Sequence, residues 1–269
     1  MKKKVVILTG NETRHKYFKL KLSSDKRFKI IASYCEDNSK SLENRIKSNS
    51  KSSKIERLHI EARTQSELDF FSSYIKDNKD LSKSRVIKKG EINNPHIVNQ
   101  ILRLNPDILL CYGSSLITSK LLNFFKERFI NVHLGLSPYY RGAGTNVWPL
   151  INREPELVGA TFMHIDEGID TGNIFHQIRA DVMLGDSPHS LGNRLIKKMT
   201  EEYCKIIYKF DQLQKEKQLN CSGKFYYIKD FNSAACKKLY DNIQNGLITN
   251  YLVSNKKILP KIIQNKGLN

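Results

Sequence analysis

Three polar residues of the sequence form a set that could stabilise a negatively charged oxygen. Asn131 and His133 stand one residue apart at the end of the apolar run FINVH, and Asp170 stands in the acidic turn DEGIDTG. An amide and a protonated imidazole can donate hydrogen bonds to an oxygen that becomes negative, while a carboxylate supports the imidazolium. This combination is suited to acyl transfer, and it requires distant parts of the chain to meet.

The elements predicted around these residues would bring them together. Apolar runs typical of buried strands occur at 5–9, 28–34, 107–112 and 129–133, and helices are predicted between them. This alternation indicates βαβ units, so we predict an α/β fold with a Rossmann-like, mostly parallel sheet and helices on both faces. Such sheets bind ligands beyond the carboxyl ends of their strands, where Asn131 and His133 lie on one face.

The second half of the chain predicts two more strands, a long helix and an appendage. Strands are predicted at 158–165 and 174–182, and Ser187 and Pro188 begin a helix. Its apolar residues recur every four positions, which is typical of core packing: Leu191, Leu195, Met199, Tyr203 and Ile207. A polar linker begins near Gln212. We therefore predict a catalytic domain at 1–210 and a linker with a small C-terminal appendage at 211–269. Separately, the stretch at 38–53 is rich in Ser, Lys and Asn and is predicted to be a mobile loop.

Composition narrows the cellular setting and the class of partner. The net charge of +18, from 45 Lys and Arg against 27 Asp and Glu, favours acidic partners, although solvated lysines on helix faces explain it equally well. The five cysteines show no paired CxxC spacing, which indicates a reduced, cytoplasmic protein. No apolar run approaches the roughly 18 residues that a membrane span needs, so no membrane partner is expected.

The motif around the three polar residues is long and ordered. It reads Asn-x-His, then Leu-x-Pro-x-x-Arg-Gly, then Asp-x-Gly-x-Asp-Thr-Gly, in the runs NVHLGLSPYYRGAGTNVWPLI and VGATFMHIDEGIDTGNI. This pattern resembles the 10-formyltetrahydrofolate-dependent formyltransferases, most closely over 107–182 and more loosely over 1–210. The resemblance implies that Asn131, His133 and Asp170 are the catalytic residues and that 10-formyltetrahydrofolate donates the formyl group.

The same resemblance implies which residues contact the donor. The loop CYGSSLI at 111–117 resembles the segment that lines the pterin pocket, and the turn at 165–170 would close the other side. The donor-binding residues implied in this way are Gly113, Ser114, Leu116, Ile117, Ile165, Asp166 and Gly168. Ser137 stands where many members have an apolar residue, which affects local packing rather than the chemistry.

The acceptor implied by the resemblance is a primary amine. The chain is shorter than an initiator-tRNA formyltransferase and longer than a glycinamide-ribotide enzyme, so the length is most similar to enzymes that formylate nucleotide-linked amino sugars. In those enzymes the appendage serves dimerisation or ligand binding, and a homodimer is therefore a candidate assembly. The predicted acceptor contacts follow the first strand and the catalytic strand: Asn11, Arg14, His15, Tyr139 and Arg141.

Other interpretations stay open. Water could replace the amine, as in a formyltetrahydrofolate hydrolase, or the chain could be a noncatalytic RNA-binding protein, although phosphate binding does not require the Asn/His/Asp set. A metal site at His133, His164, Asp166 and Asp170 lacks an HExxH motif or a cysteine pair, so we expect no metal. A hydrolase triad of Ser137, His133 and Asp170 lacks a nucleophile elbow.

Overall fold

The protein is described by a computed structural model that covers residues 1–39, 42–50, 52–254 and 259–268. Seven strands within these residues form one sheet: β1 (Lys4–Thr9), β2 (Lys29–Glu36), β3 (Ser84–Ile87), β4 (Ile108–Tyr112), β5 (Phe129–His133), β7 (Gly159–His164) and β8 (Ile174–Arg179). Two short strands, β6 (Tyr140–Gly142) and β9 (Lys224–Tyr226), form a separate pair.

The order of the strands in the large sheet is β3-β2-β1-β4-β5-β7-β8. Strands β3, β2, β1, β4 and β5 are parallel, whereas β7 is antiparallel to β5 and β8 is antiparallel to β7. The prediction of a mostly parallel sheet is therefore confirmed. The antiparallel pairs mean that the turn between β7 and β8 leaves the sheet at the opposite end from the carboxyl end of β5.

Helices pack on both faces of the sheet. They are α1 (Thr13–Ser24), α2 (Leu42–Ser48), α3 (Lys54–Asp77), α4 (Pro95–Leu104), α5 (Ser119–Phe124), α6 (Trp148–Ile151), α7 (Pro188–Lys209), α8 (Ser233–Gln244) and α9 (Leu247–Val253). The side chains of β1 point alternately into two hydrophobic cores, one on each face of the sheet. Val5 and Ile7 lie in the core that contains α1, α3 and α7. Val6 and Leu8 lie in the core with α4. The predicted fold class is confirmed on both faces.

Three local predictions differ from the structure. The stretch at 38–53 was expected to be a mobile loop, but α2 forms at Leu42–Ser48 because Ile46 is buried and Lys47 pairs with Glu43 one turn away; Lys40, Ser41 and Lys51 lie outside the described residues. Between the strands predicted at 107–112 and 129–133, a helix was expected at 120–128, but the observed helix is shorter and ends at Phe124. Strand β3 was not predicted, because the edge strand SRVI is exposed at its first three residues and shows no apolar alternation.

The C-terminal segment is tied to the body of the protein at several points. Strand β9 pairs with β6, so that Tyr140 lies opposite Lys224. The ring of Tyr226 stacks on Trp148 at 3.8 Å between centroids. Farther on, the backbone N–H of Gln177 on β8 donates to the carbonyl of Ile263, and the backbone N–H of Ile263 donates to the side-chain oxygen of Gln177. The boundary at residue 210 stays a prediction. No helix among the described residues is long and apolar enough to cross a membrane.

Candidate active site

A cavity of about 540 Å³ lies where the start of α1 and the loops after β4 and β5 meet the turn between β7 and β8. Its volume is in the range of small-molecule sites. Asn131, His133 and Asp170 all line it. The residues that were predicted to contact the donor line it as well: Gly113, Ser114, Leu116, Ile117, Ile165, Asp166 and Gly168. The structure therefore brings the two predicted groups into one cavity.

His133 is held from both of its ring nitrogens. Its Nδ1 lies 3.2 Å from the Oδ2 of Asp170, which also accepts a hydrogen bond of 2.9 Å from the backbone N–H of Gly142. Its Nε2 lies 3.1 Å from the carbonyl of Tyr140 and 3.1 Å from the hydroxyl of Thr145. A carbonyl can only accept, so we place a hydrogen on Nε2. Nδ1 then lies beside the Asp170 carboxylate.

Asn131 is the third member of this group. It lies on β5 between Cys111 on β4 and Met163 on β7, two residues before His133, so the two side chains share the predicted face. The Asn131 side chain is partly exposed and forms no hydrogen bond with any residue in the described part of the chain. Its amide is therefore free to donate to an oxygen of a ligand.

The strand that precedes Asp170 runs in a different direction from the one that the sequence suggested. From the sequence, Asp170 was expected in a turn after another strand of a mostly parallel sheet, but β7 runs antiparallel to β5, with His133 opposite Thr161 and His164 opposite Ile130. The loop after β7 must therefore return along the sheet to bring the Asp170 carboxylate beside His133. The backbone of Asp170 adopts the left-handed region there, with φ of 55°.

The loop at 113–118 is held from outside the cavity by a buried carboxylate. Glu36, at the end of β2, is fully buried and accepts hydrogen bonds from the backbone N–H of Ser115 (2.6 Å) and of Gly90 (2.7 Å). The ammonium of Lys89 donates a third, at 2.9 Å. The Asn93 side chain holds the same loop by donating to the carbonyl of Leu116 at 2.7 Å. Two side chains remote from the chemistry thus shape this wall.

Replacement of Glu36 by glutamine is expected to loosen this wall. The amide nitrogen cannot accept a hydrogen bond, so one of the three donors loses its partner and Lys89 loses its counter-charge, which costs about 2–3 kcal/mol of unfolding free energy. We expect weaker binding of tetrahydrofolate with little change in binding of the acceptor. Urea unfolding and calorimetric titration would measure both. Equal affinity for tetrahydrofolate in E36Q and in the native protein would contradict the role of Glu36 in holding the loop at 113–118. The variant E61Q, at an exposed glutamate, provides a matched control.

Arg14 and His15 line the cavity, but both side chains already contact other residues of the protein. The Arg14 guanidinium pairs with Glu67 at 2.7 Å and with Glu12. Burial lowers the pKa of Arg14, which the Glu67 carboxylate partly offsets. The His15 ring is buried against Gly113, where a Cβ would meet its Nε2 at 2.5 Å. Burial and the Arg14 charge hold the pKa of His15 well below its usual range, so His15 is neutral.

The other three predicted acceptor residues do not line the cavity. Helix α1 has Glu12 rather than Asn11 at its N-cap position, and Asn11 stands in the preceding turn, outside the lining. The Tyr139 hydroxyl donates instead to the carbonyl of Lys261 at 2.8 Å. Arg141 lies on β6, and its Nε is buried without a hydrogen-bond partner in the described part of the chain. Their contact with an acceptor stays a prediction.

The cavity has a second wall, which was not predicted from the sequence. It is formed by residues of α2, α3, α7 and the C-terminal segment: Arg45, His59, Arg63, Glu67, His189, Asn193, Tyr227, Ile228 and Phe231. Arg63 pairs with Glu67 at 3.2 Å, whereas Arg45 is exposed. No motif marks these positions, because their convergence depends on how the helices pack.

Two histidines of this wall make stability depend on pH. His59 Nδ1 and His189 Nε2 contact the hydroxyl of Tyr240 at 3.0 and 3.2 Å. Burial lowers the pKa of His59 to about 3 and that of His189 to about 4, and the Arg63 charge adds to both shifts. Both side chains take up protons near pH 6.5 only in the unfolded chain. The unfolding free energy is therefore unaffected by these two groups above about pH 6.5 and falls as the pH decreases, down to about pH 4 for His189 and about pH 3 for His59.

We expect the unfolding free energy to fall below pH 6.5 by up to about 1.4 kcal/mol per pH unit for each of these histidines. Urea unfolding at pH 7, 6 and 5 would measure the slope. The variant H189Q should reduce the slope by the share of one histidine, up to about 1.4 kcal/mol per pH unit. The variant H96Q, at an exposed histidine, provides the control. A slope that is the same in H189Q and in the native protein would contradict the assignment.

Two alternative chemistries find little support in the geometry. Ser137 is fully buried and does not line the cavity, so it is poorly placed to be a nucleophile. The His164 ring packs against Phe175 at 4.5 Å, and burial lowers its pKa to about 4. Among the residues with described placement, no group of three or more His, Cys, Asp or Glu could hold a metal ion.

Comparison with known proteins defines the family. The formyl transferase family model matches residues 3–207, so the chain belongs to the formyl transferase family. Over 186 residues it is 30% identical to the methionyl-tRNA formyltransferase of Buchnera aphidicola subsp. Acyrthosiphon pisum (strain Tuc7), a match that covers 64% of this chain and 59% of that protein. The chain thus spans less than two thirds of the length of this curated relative.

Solved structures share the fold. A 4-N formyltransferase from Francisella tularensis has a TM-score of 0.55 at 23% identity, over 85% of this chain and 78% of that one. The N-formyltransferase from Helicobacter canadensis, in complex with folinic acid and dTDP-3-aminofucose, has a TM-score of 0.54 at 18% identity, over 90% and 80%. These likenesses agree with the Rossmann-like sheet described above.

Proposed function

We propose that this protein is an N-formyltransferase that moves a formyl group from 10-formyltetrahydrofolate to the primary amine of a nucleotide-linked amino sugar. The observation that carries the proposal is the cluster of the Asn131 amide, the His133 imidazole and the Asp170 carboxylate in one cavity. It lies inside the region that matches the formyl transferase family. No step of the proposed reaction requires a metal.

The cluster supports the following sequence of bonds. The neutral amine attacks the formyl carbon, a C–N bond forms, and the electron pair of the carbonyl moves onto its oxygen. Asn131 and the protonated Nδ1 of His133 donate to this oxygen, while Asp170 stabilises the imidazolium. The amine loses a proton to Asp170, directly or through water. The electron pair on the oxygen then re-forms the carbonyl as the bond to N10 of the folate breaks, and N10 takes that bond's electron pair and the proton that Asp170 had accepted.

His133 Nδ1 and Asp170 Oδ2 are 3.2 Å apart, which is close enough for the carboxylate to stabilise a positive charge on the imidazole. At this distance the Asp170 carboxylate acts through its charge, and the hydrogen on Nδ1 is shared between Asp170 and an oxygen of the ligand. Because Nε2 is already bound to the Tyr140 carbonyl, the ring keeps its orientation when the ligand arrives.

We propose that the donor binds against the wall at 113–117. That wall combines backbone groups with Leu116 and Ile117, and Ile165 and Ile169 face it from the turn after β7. A flat ring with polar edges needs both apolar faces and backbone donors and acceptors. The folinic acid bound to the Helicobacter canadensis protein supports a folate donor for this chain as well.

We propose that the acceptor binds against the wall formed by α2, α3, α7 and the C-terminal segment. Arg45 on this wall is exposed and, in the described part of the chain, pairs with no carboxylate, which suits an acceptor that carries phosphate. The dTDP-3-aminofucose bound to the Helicobacter canadensis protein supports an amino sugar. Methionyl-tRNA is the second candidate, because the curated relative from Buchnera aphidicola is a methionyl-tRNA formyltransferase.

A reducing compartment is consistent with this function. The five cysteines of the chain are free in the structure, and Cys35, Cys111, Cys204 and Cys236 are buried. Free, buried thiols are typical of proteins that fold where glutathione keeps cysteines reduced. We therefore place the enzyme in the cytoplasm.

The experiment that tests the function is a panel of acceptors. The protein would be incubated with 10-formyltetrahydrofolate and, separately, dTDP-3-aminofucose, UDP-linked and dTDP-linked 4-amino sugars, methionyl-tRNA and glycinamide ribonucleotide. Mass spectrometry would detect the gain of one formyl group. Formylation of an amino sugar supports the proposal, formylation of methionyl-tRNA alone supports the second candidate, and release of formate at the same rate without any acceptor overturns both.

A further inference from the structure

We propose that Gln218, in the linker beyond the family-matched region, is a positioning residue for the catalytic Asp170. Its side-chain amide donates to the backbone carbonyl of Asp170 at 2.8 Å and to that of Gly172 at 3.0 Å. The family model ends at residue 207, so this contact lies outside it. The inference rests on the proposed function, because it assigns Gln218 a part in formyl transfer.

The turn that carries Asp170 needs support from outside the sheet. Strand β7 runs away from the carboxyl end of β5, so strand pairing does not place Asp170 beside His133. Within the turn, Asp166 accepts hydrogen bonds from the backbone N–H of Gly168 and the hydroxyl of Thr171, on either side of Asp170, but it does not bind the carbonyls of Asp170 and Gly172. Asp170 itself has φ of 55°, a conformation that persists in a non-glycine residue when its surroundings fix it.

The linker is anchored in the register that this contact requires. Glu216 and Ile174 exchange both backbone hydrogen bonds, at 2.7 and 2.9 Å, in an antiparallel bridge at the start of β8. In an antiparallel pair, the residue two positions later on one strand faces the residue two positions earlier on the other. Gln218 therefore lies opposite Gly172, where its amide reaches both carbonyls.

The side-chain amide of Gln218 makes both of these hydrogen bonds. Its one nitrogen carries two hydrogens, and each goes to one carbonyl of the turn. A methionine of similar length has no donor, and a glutamate would direct negative oxygens at the two carbonyls. Gln218 thus fixes the backbone on the far side of Asp170, while the Gly142 N–H fixes its carboxylate. The linker therefore completes the catalytic unit.

The test compares Gln218→Met with Gln214→Met, a matched change at an exposed glutamine of the same linker. In Q218M we expect kcat for formyl transfer to fall about tenfold, because small displacements of a catalytic group cost one to two orders of magnitude. The KM values for both substrates should change less than about twofold. Amide hydrogen exchange at 166–173 should become faster in Q218M, with exchange in β1 and β4 unchanged.

The measurements separate this inference from the proposed function. If the native protein formylates no acceptor of the panel, the function fails, and hydrogen exchange alone still tests whether Gln218 holds the turn. If the native protein is active and Q218M equals Q214M in kcat and in exchange at 166–173, the inference is overturned. A decrease of kcat that disappears after normalisation to the number of tetrahydrofolate-binding sites also overturns it, since that result reflects loss of folded protein.

Discussion

Replacement of Asn131 by alanine is expected to lower kcat for formyl transfer by about a hundred- to a thousandfold, because one of two donors to the oxyanion is lost. The Asn131 amide is bound to no described residue, so its removal leaves no orphaned partner within the structure. We therefore expect the variant to fold and to bind tetrahydrofolate as the native protein does. Steady-state kinetics with the acceptor identified in the panel would measure the effect.

The matched control for Asn131 is Asn123→Ala, at an exposed asparagine on α5. This change should leave kcat and both KM values within about twofold of the native values. An N131A protein with native kcat would show that the oxyanion is stabilised by other groups, and the assignment of Asn131 would have to be abandoned.

Replacement of Asp170 by asparagine is expected to have the larger effect. Asparagine keeps the size of the side chain, and its oxygen can still accept from the Gly142 N–H. The negative charge beside His133 is lost, however, so the imidazolium is no longer stabilised and the proton of the amine has no acceptor. We expect kcat to fall at least about a thousandfold, as aspartate-to-asparagine changes beside a catalytic histidine do.

The D170N prediction has two checks. Binding of tetrahydrofolate, measured by calorimetry, should stay within about threefold, since the charge matters most when the oxyanion forms. The variant D77N, at an exposed aspartate on α3, should have native kinetics. If D170N lost donor binding in proportion to its loss of kcat, Asp170 would act in binding and not in the chemical step.

Strong local patterns made much of the fold predictable. The apolar run at 129–133 and its one-residue spacing placed Asn131 and His133 on one face of a strand, and the structure has that strand at Phe129–His133. The helix that begins at Pro188 was recognisable from Ser187 at its cap and from apolar residues at four-residue spacing. These features depend on neighbours in sequence, so sequence alone was sufficient.

Features that depend on distant contacts were not predictable. The antiparallel direction of β7 has no local signature, and with it the path of Asp170 to His133 was missed. Glu36 stands at the end of an apolar strand, and only its contact with Ser115 shows that it shapes the cavity. Gln218 lies in a polar linker where no periodicity or motif distinguishes it. In each case the partner is far away in sequence.

One measurement tests the central claim most directly: transfer of an isotopically labelled formyl group from 10-formyltetrahydrofolate to dTDP-3-aminofucose or another amino sugar of the panel, in the native protein and in D170N. We expect labelled formamide product from the native protein and at least about a thousandfold less from D170N at saturating substrates. Label recovered only as formate, or equal product from both proteins, would contradict the account.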